Sequence, residues 1–327
     1  MPQDSVTYGV TRIRCHEKGL LGPDRLQRML DGSAEEAVRQ LVDMGYGGLP
    51  DATAADAEQM VSNELAAACE LVKEVSFDQA ATNAFLMKAD VHNLKLLLKL
   101  RLTESREAPA LMRGGVYDPA ALGRMVEAAD YRDLPPQFQA ALNGLEQAFQ
   151  NGVDPARLSA ALDGAYVQYA YDTKIPLVVS YFKARADFDN VLAMLRTRQT
   201  GGGADRLRAM LLPAGDIPHG ALAAALEAPV EAIARLVATG PARPGILKGL
   251  EALQRGEGIA PLERERDDYL MALLKGARFD NATIAPVIAY LLAREQEAVC
   301  IRLILTAKRN GLPERIITER LRGLYGW

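Results

Sequence analysis

Residues 88–102 read KADVHNLKLLLKLRL. An acid, a histidine, an asparagine and four basic residues share one apolar run with helical spacing. Asp90 and His92 invite a reading as a general acid–base pair. Geometry argues against it, because residues two apart on a helix point about 200° away from each other. A dyad has to converge on one pocket. The alternative is that the run is a framework element, and self-comparison of the chain favours that reading.

The run returns twice. With Asp90, Asp187 and Glu297 aligned, the next positions are Val91, Phe188 and Ala298. Four residues on are Leu94, Val191 and Ile301, and eight on are Leu98, Leu195 and Leu305. Offsets of one, four and eight trace a single apolar stripe on a helix. Three residues on stand Asn93, Asn190 and Cys300, so the third copy departs from asparagine. Eleven on, each copy is basic: Arg101, Arg198 and Lys308. The histidine does not recur, since Asp189 and Val299 occupy its place. Eleven residues are close to three turns, so acid and base share a face about 16 Å apart. That is too far for a pair within one helix, and their partners are expected on adjoining helices.

A second element precedes each copy. GPDRLQRML (22–30), YDPAALGRMV (117–126) and IPHGALAAAL (217–226) each set a proline at a helix start. From Leu26, Leu122 and Leu222 to the marker acid the distance is 64, 65 and 75 residues. EAVRQLVDMG (36–45) resembles EAIARLVATG (231–240). The expected organisation is three diverged helical copies: 1–107 with an N-terminal closing helix, 108–204, and 205–327 with a C-terminal closing segment. Three copies predict a pseudo-threefold arrangement.

The fold class is all-α. Helix formers dominate and alternating β-branched runs are nearly absent. IPLVVSYF (175–182) reads as the first turns of one helix over 175–199, with Pro176 in its first turn and a cap just before it. Breakers fall at 45–51, 113–119, 200–205, 212–220, 239–245 and 309–313.

Composition excludes several classes. Hydrophobic residues make up 49% of 327, too many for a disordered linker. A net charge of −4 offers no general attraction to nucleic acid, and the basic positions of the three copies lack interleaved aromatics. Those positions read as a solvated or partner-facing helix edge. Residues 1–19 carry Asp4, Arg12, Arg14, Glu17 and Lys18 without an apolar core, so no secretory signal is expected. IAPVIAYLLA (284–293) spans ten residues where a membrane crossing needs about twenty, so no direct membrane insertion is expected. Cys15, Cys69 and Cys300 are far apart and read as reduced thiols. TGGGADRLRAM (200–210) lacks the ending of a P-loop and follows a helix, which makes it a linker. No catalytic, cofactor-binding or metal-ligating residue is assigned, and no cofactor is expected.

Taken in order, YGVTRIRCHEKGLL (8–21), EEAVRQLVDMGYGG (35–48), KADVHNLKLLLKLRL (88–102), DFDNVLAMLR (187–196), LERERDDYLMALLKGARF (262–279) and IAYLLAREQEAVCIRLILTAKRNGLPERII (288–317) resemble the C subunit of V-type and A-type ATPases, related to the d subunit of the eukaryotic enzyme. The resemblance implies an all-helical, pseudo-threefold funnel. It also implies a non-catalytic coupler between the central stalk of the soluble head and the membrane rotor ring. The implied partners are the coiled-coil shaft with its companion and the ring of proteolipid subunits, with no nucleic acid. The implied location is the cytoplasmic face of the cell membrane. A helical scaffold without rotary coupling is the alternative, and a helical enzyme using Asp90 or Asp187 as base is a third.

Overall fold

Helix starts in this chain are set by proline and by short polar caps. Asp118 and Asp154 each accept a backbone N–H of the following turn, from Ala121 and Ala156, with a proline next in sequence. Ser33 and Glu36 form a reciprocal capping box, and the helix it opens buries Ala37, Val38 and Leu41 on one face. In a computed structural model, which describes residues 5–104, 108–149, 154–276 and 279–325, these signals produce an all-helical protein with no strand among the described residues.

The helices are α1 (Val6–Glu17), α2 (Pro23–Asp31), α3 (Ala34–Asp43), α4 (Ala57–Val75), α5 (Gln79–Leu102), α6 (Pro119–Ala128), α7 (Pro136–Phe149) and α8 (Pro155–Asp172). They continue as α9 (Pro176–Gln199), α10 (Ala204–Arg208), α11 (His219–Glu227), α12 (Val230–Val237), α13 (Arg243–Gln254), α14 (Ala260–Gly276), α15 (Ala285–Arg309) and α16 (Glu314–Arg320). Three of them, α5, α9 and α15, run 24, 24 and 25 residues and carry the marker acids near their middles. The expected helix over 175–199 is α9, with Ile175 at its N-cap. Its cap differs from expectation: Ile175 offers no side chain, and the Thr173 hydroxyl accepts the Ile175 N–H at 3.3 Å. The glycines at 200–205 end this helix. Gly201 takes φ +66° and Gly202 N–H returns to the Thr197 carbonyl at 2.8 Å, a C-terminal stop where glycine avoids the Cβ penalty.

The chain folds as two compact units, Met1–Thr82 with Asp267–Trp327, and Asn83–Arg266. In the first, α15 packs along α4 and also meets α1 and α3. Leu21, Met29, Leu30, Leu41 and Met60 share its core with Ile301, Ile304 and Ile317. In the second, α8 lies between α7 and α9, and α11 packs on α9 and α12. Its core holds Phe138, Phe182 and Phe188, fully buried. Phe85, Tyr166, Tyr181 and Phe182 pack at edge-on to tilted angles with ring centroids 5.0–5.5 Å apart.

Candidate functional site: three carboxylate clamps on the long helices

The three marker acids are buried, with Asp90 and Asp187 at 0% exposure and Glu297 at 2%. A carboxylate in such a place needs donors, because burying an unpaired charge is very costly. The donors are backbone N–H groups in the loop that enters a short helix. Asp90 accepts from Val116 at 2.6 Å and Tyr117 at 3.1 Å, just before α6. Asp187 accepts from Ile217 at 2.9 Å, just before α11. Glu297 accepts from Leu21 at 2.5 Å, just before α2. The loops approach so closely that a side chain would collide with the acid. A Cβ at Gly115 would lie 2.2 Å from Asp90 Oδ1, and one at Gly215 would lie 2.5 Å from Asp187 Oδ1. Two positions before Leu21, the matching residue is Gly19. Its Cβ would meet Arg294 at 3.3 Å, so the longer glutamate reaches from further away.

The asparagines three residues on hold the segment just upstream. Asn93 donates to the Met112 carbonyl at 2.9 Å and accepts the Met112 N–H at 2.8 Å. Asn190 does the same to Leu212 at 3.0 and 2.7 Å. In the third copy Cys300 Sγ meets the Arg322 carbonyl at 3.7 Å, a single weak contact. There the upstream segment comes from residues 321–325 and the entry loop from residues 19–22, at opposite ends of the described chain.

The basic residues close the other end. Arg101 donates to the carbonyl of Val126 in the last turns of α6, and its guanidinium also pairs with Glu146. Arg198 meets the carbonyls of Ala225 (3.5 Å), Leu226 (3.3 Å) and Ala228 at the end of α11. Lys308 meets those of Leu30 (2.5 Å) and Gly32 at the end of α2. A cation against the last carbonyls satisfies orphan acceptors and suits the negative end of the helix dipole. Each long helix therefore grips a short helix at both ends, and the eleven-residue spacing matches that helix's length. The apolar face between the grips includes Leu122 and Leu222, both fully buried.

The electrostatics of the clamps differ. Burial pushes Asp187 up to about 6, opposed by the Ile217 N–H, and one of its oxygens, Oδ2, has no hydrogen-bond partner among the described residues. Burial pushes Glu297 up to about 7, opposed by Arg294 at 2.9 Å and by the Leu21 N–H. Burial likewise raises Cys300 to about 11, which keeps its thiol protonated.

His92 takes no part in the Asp90 clamp. It is exposed, and partial burial together with Lys95 and Lys99 lowers its imidazole. The basic edge expected to face solvent or a partner is largely matched by acids of the same compact unit. Lys95 pairs with Asp163 at 2.6 Å, Arg196 with Glu263 at 2.5 Å and Arg302 with Glu58 at 2.5 Å. A groove of about 490 Å³ between α7 and α8 is floored by Ala140, Ala141, Gly144, Ala160, Ala161 and Gly164. Among the described residues no group of three His, Cys, Asp or Glu is placed to hold a metal ion, and no helix is long and apolar enough to cross a membrane.

Residues 9–320 match the family described as ATP synthase (C/AC39) subunit. The chain belongs to that family. Among the C/AC39 relatives, the C subunit of the A-type ATP synthase of Halobacterium salinarum is 25% identical over 343 residues, covering 96% of each chain. The C subunit of the V-type ATP synthase of Thermus thermophilus is 24% identical over 334 residues, covering 97% of this chain and 98% of that one. The C subunit of the V-type sodium ATPase of Enterococcus hirae is 20% identical over 325 residues, covering 96% and 97%. As a C/AC39 protein the chain joins an accessory subunit family of rotary ATPases. The clamps are features of its framework: apart from Glu146 on Arg101 and Arg294 on Glu297, the groups they are seen to hold are main chain.

Proposed function

We propose that this protein is the non-catalytic central-stalk subunit of a V-type or A-type rotary ATPase, passing torque between the rotor shaft of the soluble head and the membrane rotor ring. The observation that carries the reading is the clamp built three times over, in a member of the C/AC39 family. A torque coupler needs walls that do not shear. Buried polar bonds at both ends of a helix, with an apolar face between them, resist sliding in a way that apolar packing alone does not. In this reading the three copies, 1–107, 108–204 and 205–327, stand around a pseudo-threefold axis as a funnel. Its partners are the coiled-coil shaft with its companion protein and the ring of proteolipid subunits. It sits peripherally on the cytoplasmic face of the membrane, while ATP chemistry and ion translocation occur on other subunits.

Reconstitution tests this. A complex assembled without the chain is expected to keep ATP hydrolysis by the head and to lose ion transport, and adding the chain restores transport. Undiminished transport in its absence, or failure to co-purify with shaft and ring, refutes the proposal.

A further inference from the structure

Of the three clamps, the one on α15 is built differently. Arg294, 5% exposed, lies between two carboxylates. Its guanidinium is 2.9 Å from Glu297 and 3.3 Å from Glu64 of α4, and donates to the Tyr290 hydroxyl at 3.2 Å. Glu64 also accepts the Gly47 N–H at 3.0 Å. Beside them the Tyr46 hydroxyl is buried and has no hydrogen-bond partner among the described residues. Glu297 and Arg294 are buried and Glu64 is half-buried, so two acids facing one base leave the cluster one positive charge short, with Glu297 on its dry side.

We propose that the Glu297–Leu21 contact is a proton-controlled latch: it holds residues 19–22 and α2 on α15 when the Glu297–Glu64–Arg294 cluster carries a proton, and loosens them when the proton leaves.

Among the described residues, Arg14, Arg302 and Arg322 around the cluster are already paired with acids. On α15 itself, Tyr290 and Cys300 stay protonated, both raised by burial, and Arg302 is held by Glu58 of α4. Across from it Tyr46 is raised by burial and then by Glu297 and Glu64. From α1, the His16 ring lies edge-on to Tyr290 at 6.3 Å, and Glu17 pairs with Arg14 at 2.8 Å. Arg322 pairs with Asp267 at 3.0 Å, and Asp268 accepts the Gly323 N–H at 2.7 Å. From α3, Val38 and Leu41 enter the same core. The Leu21 N–H by itself favours the charged carboxyl, but the hydration that Glu297 gains on opening outweighs that bond, and this sets the sign. Closed, the Glu297 carboxyl is pushed by burial from the ordinary 4.5 to about 7. Opened to water it returns to the ordinary value, so the closed form weakens as pH rises between those limits, by up to about tenfold per pH unit, and levels off above them.

Amide hydrogen exchange on the full chain, corrected for intrinsic rates and run from about pH 5 to about pH 8, reads the latch. Protection at Leu21 and along α2 is expected to fall at least about tenfold by pH 7 and then to level, relative to α6, which Asp90 holds. Glu297→Gln keeps an acceptor for Leu21 but can neither charge nor release a proton, and its protection should be flat with pH. Glu64→Gln balances the cluster and should shrink the fall, which covers the case in which Glu297→Gln fails to fold. Protection independent of pH in the natural protein overturns the latch. So does a full slope surviving in Glu297→Gln, or an unchanged one in Glu64→Gln.

Discussion

Asp90 accepts main-chain N–H groups at 2.6 and 3.1 Å, and its chemistry is that of an anchor. Truncation leaves the Val116 and Tyr117 N–H groups without their acceptor in a site where Asp90 itself is fully buried. Asp90→Ala is therefore expected to destabilise the protein by about 3 kcal/mol, measured by denaturant unfolding. His92→Ala, on the exposed side of the same helix, should change stability little. An equal effect of the two would mean that the carboxylate is not the anchor. At this scale the sequence was legible through comparison only. Seen once, Asp90 and His92 look like a dyad; seen beside Asp187 and Glu297, the acid persists and the histidine does not. The third copy also shows how far a site can drift. Cys300 makes one weak contact where Asn93 and Asn190 make two firm ones, and the segment it touches is instead tied down by Asp267 and Asp268.

The element that recurs is a long helix carrying a shorter one, fixed at entry by an acid and at exit by a base. Arg198 isolates the exit, because its guanidinium meets only carbonyls at the end of α11 in the bonds described. Arg198→Met keeps the aliphatic stem and removes the donors. We expect a loss of about 1–2 kcal/mol, with faster amide exchange along α11 and little change along α6. Uniform loosening of both helices would count against a local clamp. The spacing from acid to base was readable from the sequence, as was the conclusion that the two could not pair with each other. Their partners were not readable. A backbone N–H or carbonyl is the same group whatever side chain accompanies it, so the aliphatic side chains of Val116, Ile217 and Leu21 do not mark them as donors. The acids along the basic edge were hidden for a related reason: Lys95 and Arg196 face acids far along the chain, Asp163 and Glu263, which no local pattern links to them, in pairs that stay partly in solvent.

For the whole molecule, the proposed coupling role requires partners that seat on an already rigid protein. In that role the joint has to part and rejoin, which calls for polar contact areas, and such contacts are sensitive to screening. Raising salt from about 0.1 M to about 1 M shortens the screening length from about 10 Å to about 3 Å. Binding to the isolated shaft protein, followed by titration calorimetry, should weaken markedly over that range. Affinity independent of salt would show that charge does not hold the joint. The sequence alone determined that this chain is helical, that three long helices share one apolar stripe with an acid and a base at fixed places, and which family it belongs to. These properties reside in side-chain identity and period. Tertiary structure alone decided what the acids and bases hold, and that residues 19–30 and 298–307 share one core. It also decided that the carboxylate completing the third clamp is buried against a second acid. Such facts depend on distant segments meeting through main-chain groups, and KADVHNLKLLLKLRL, read along the chain, carries no trace of them.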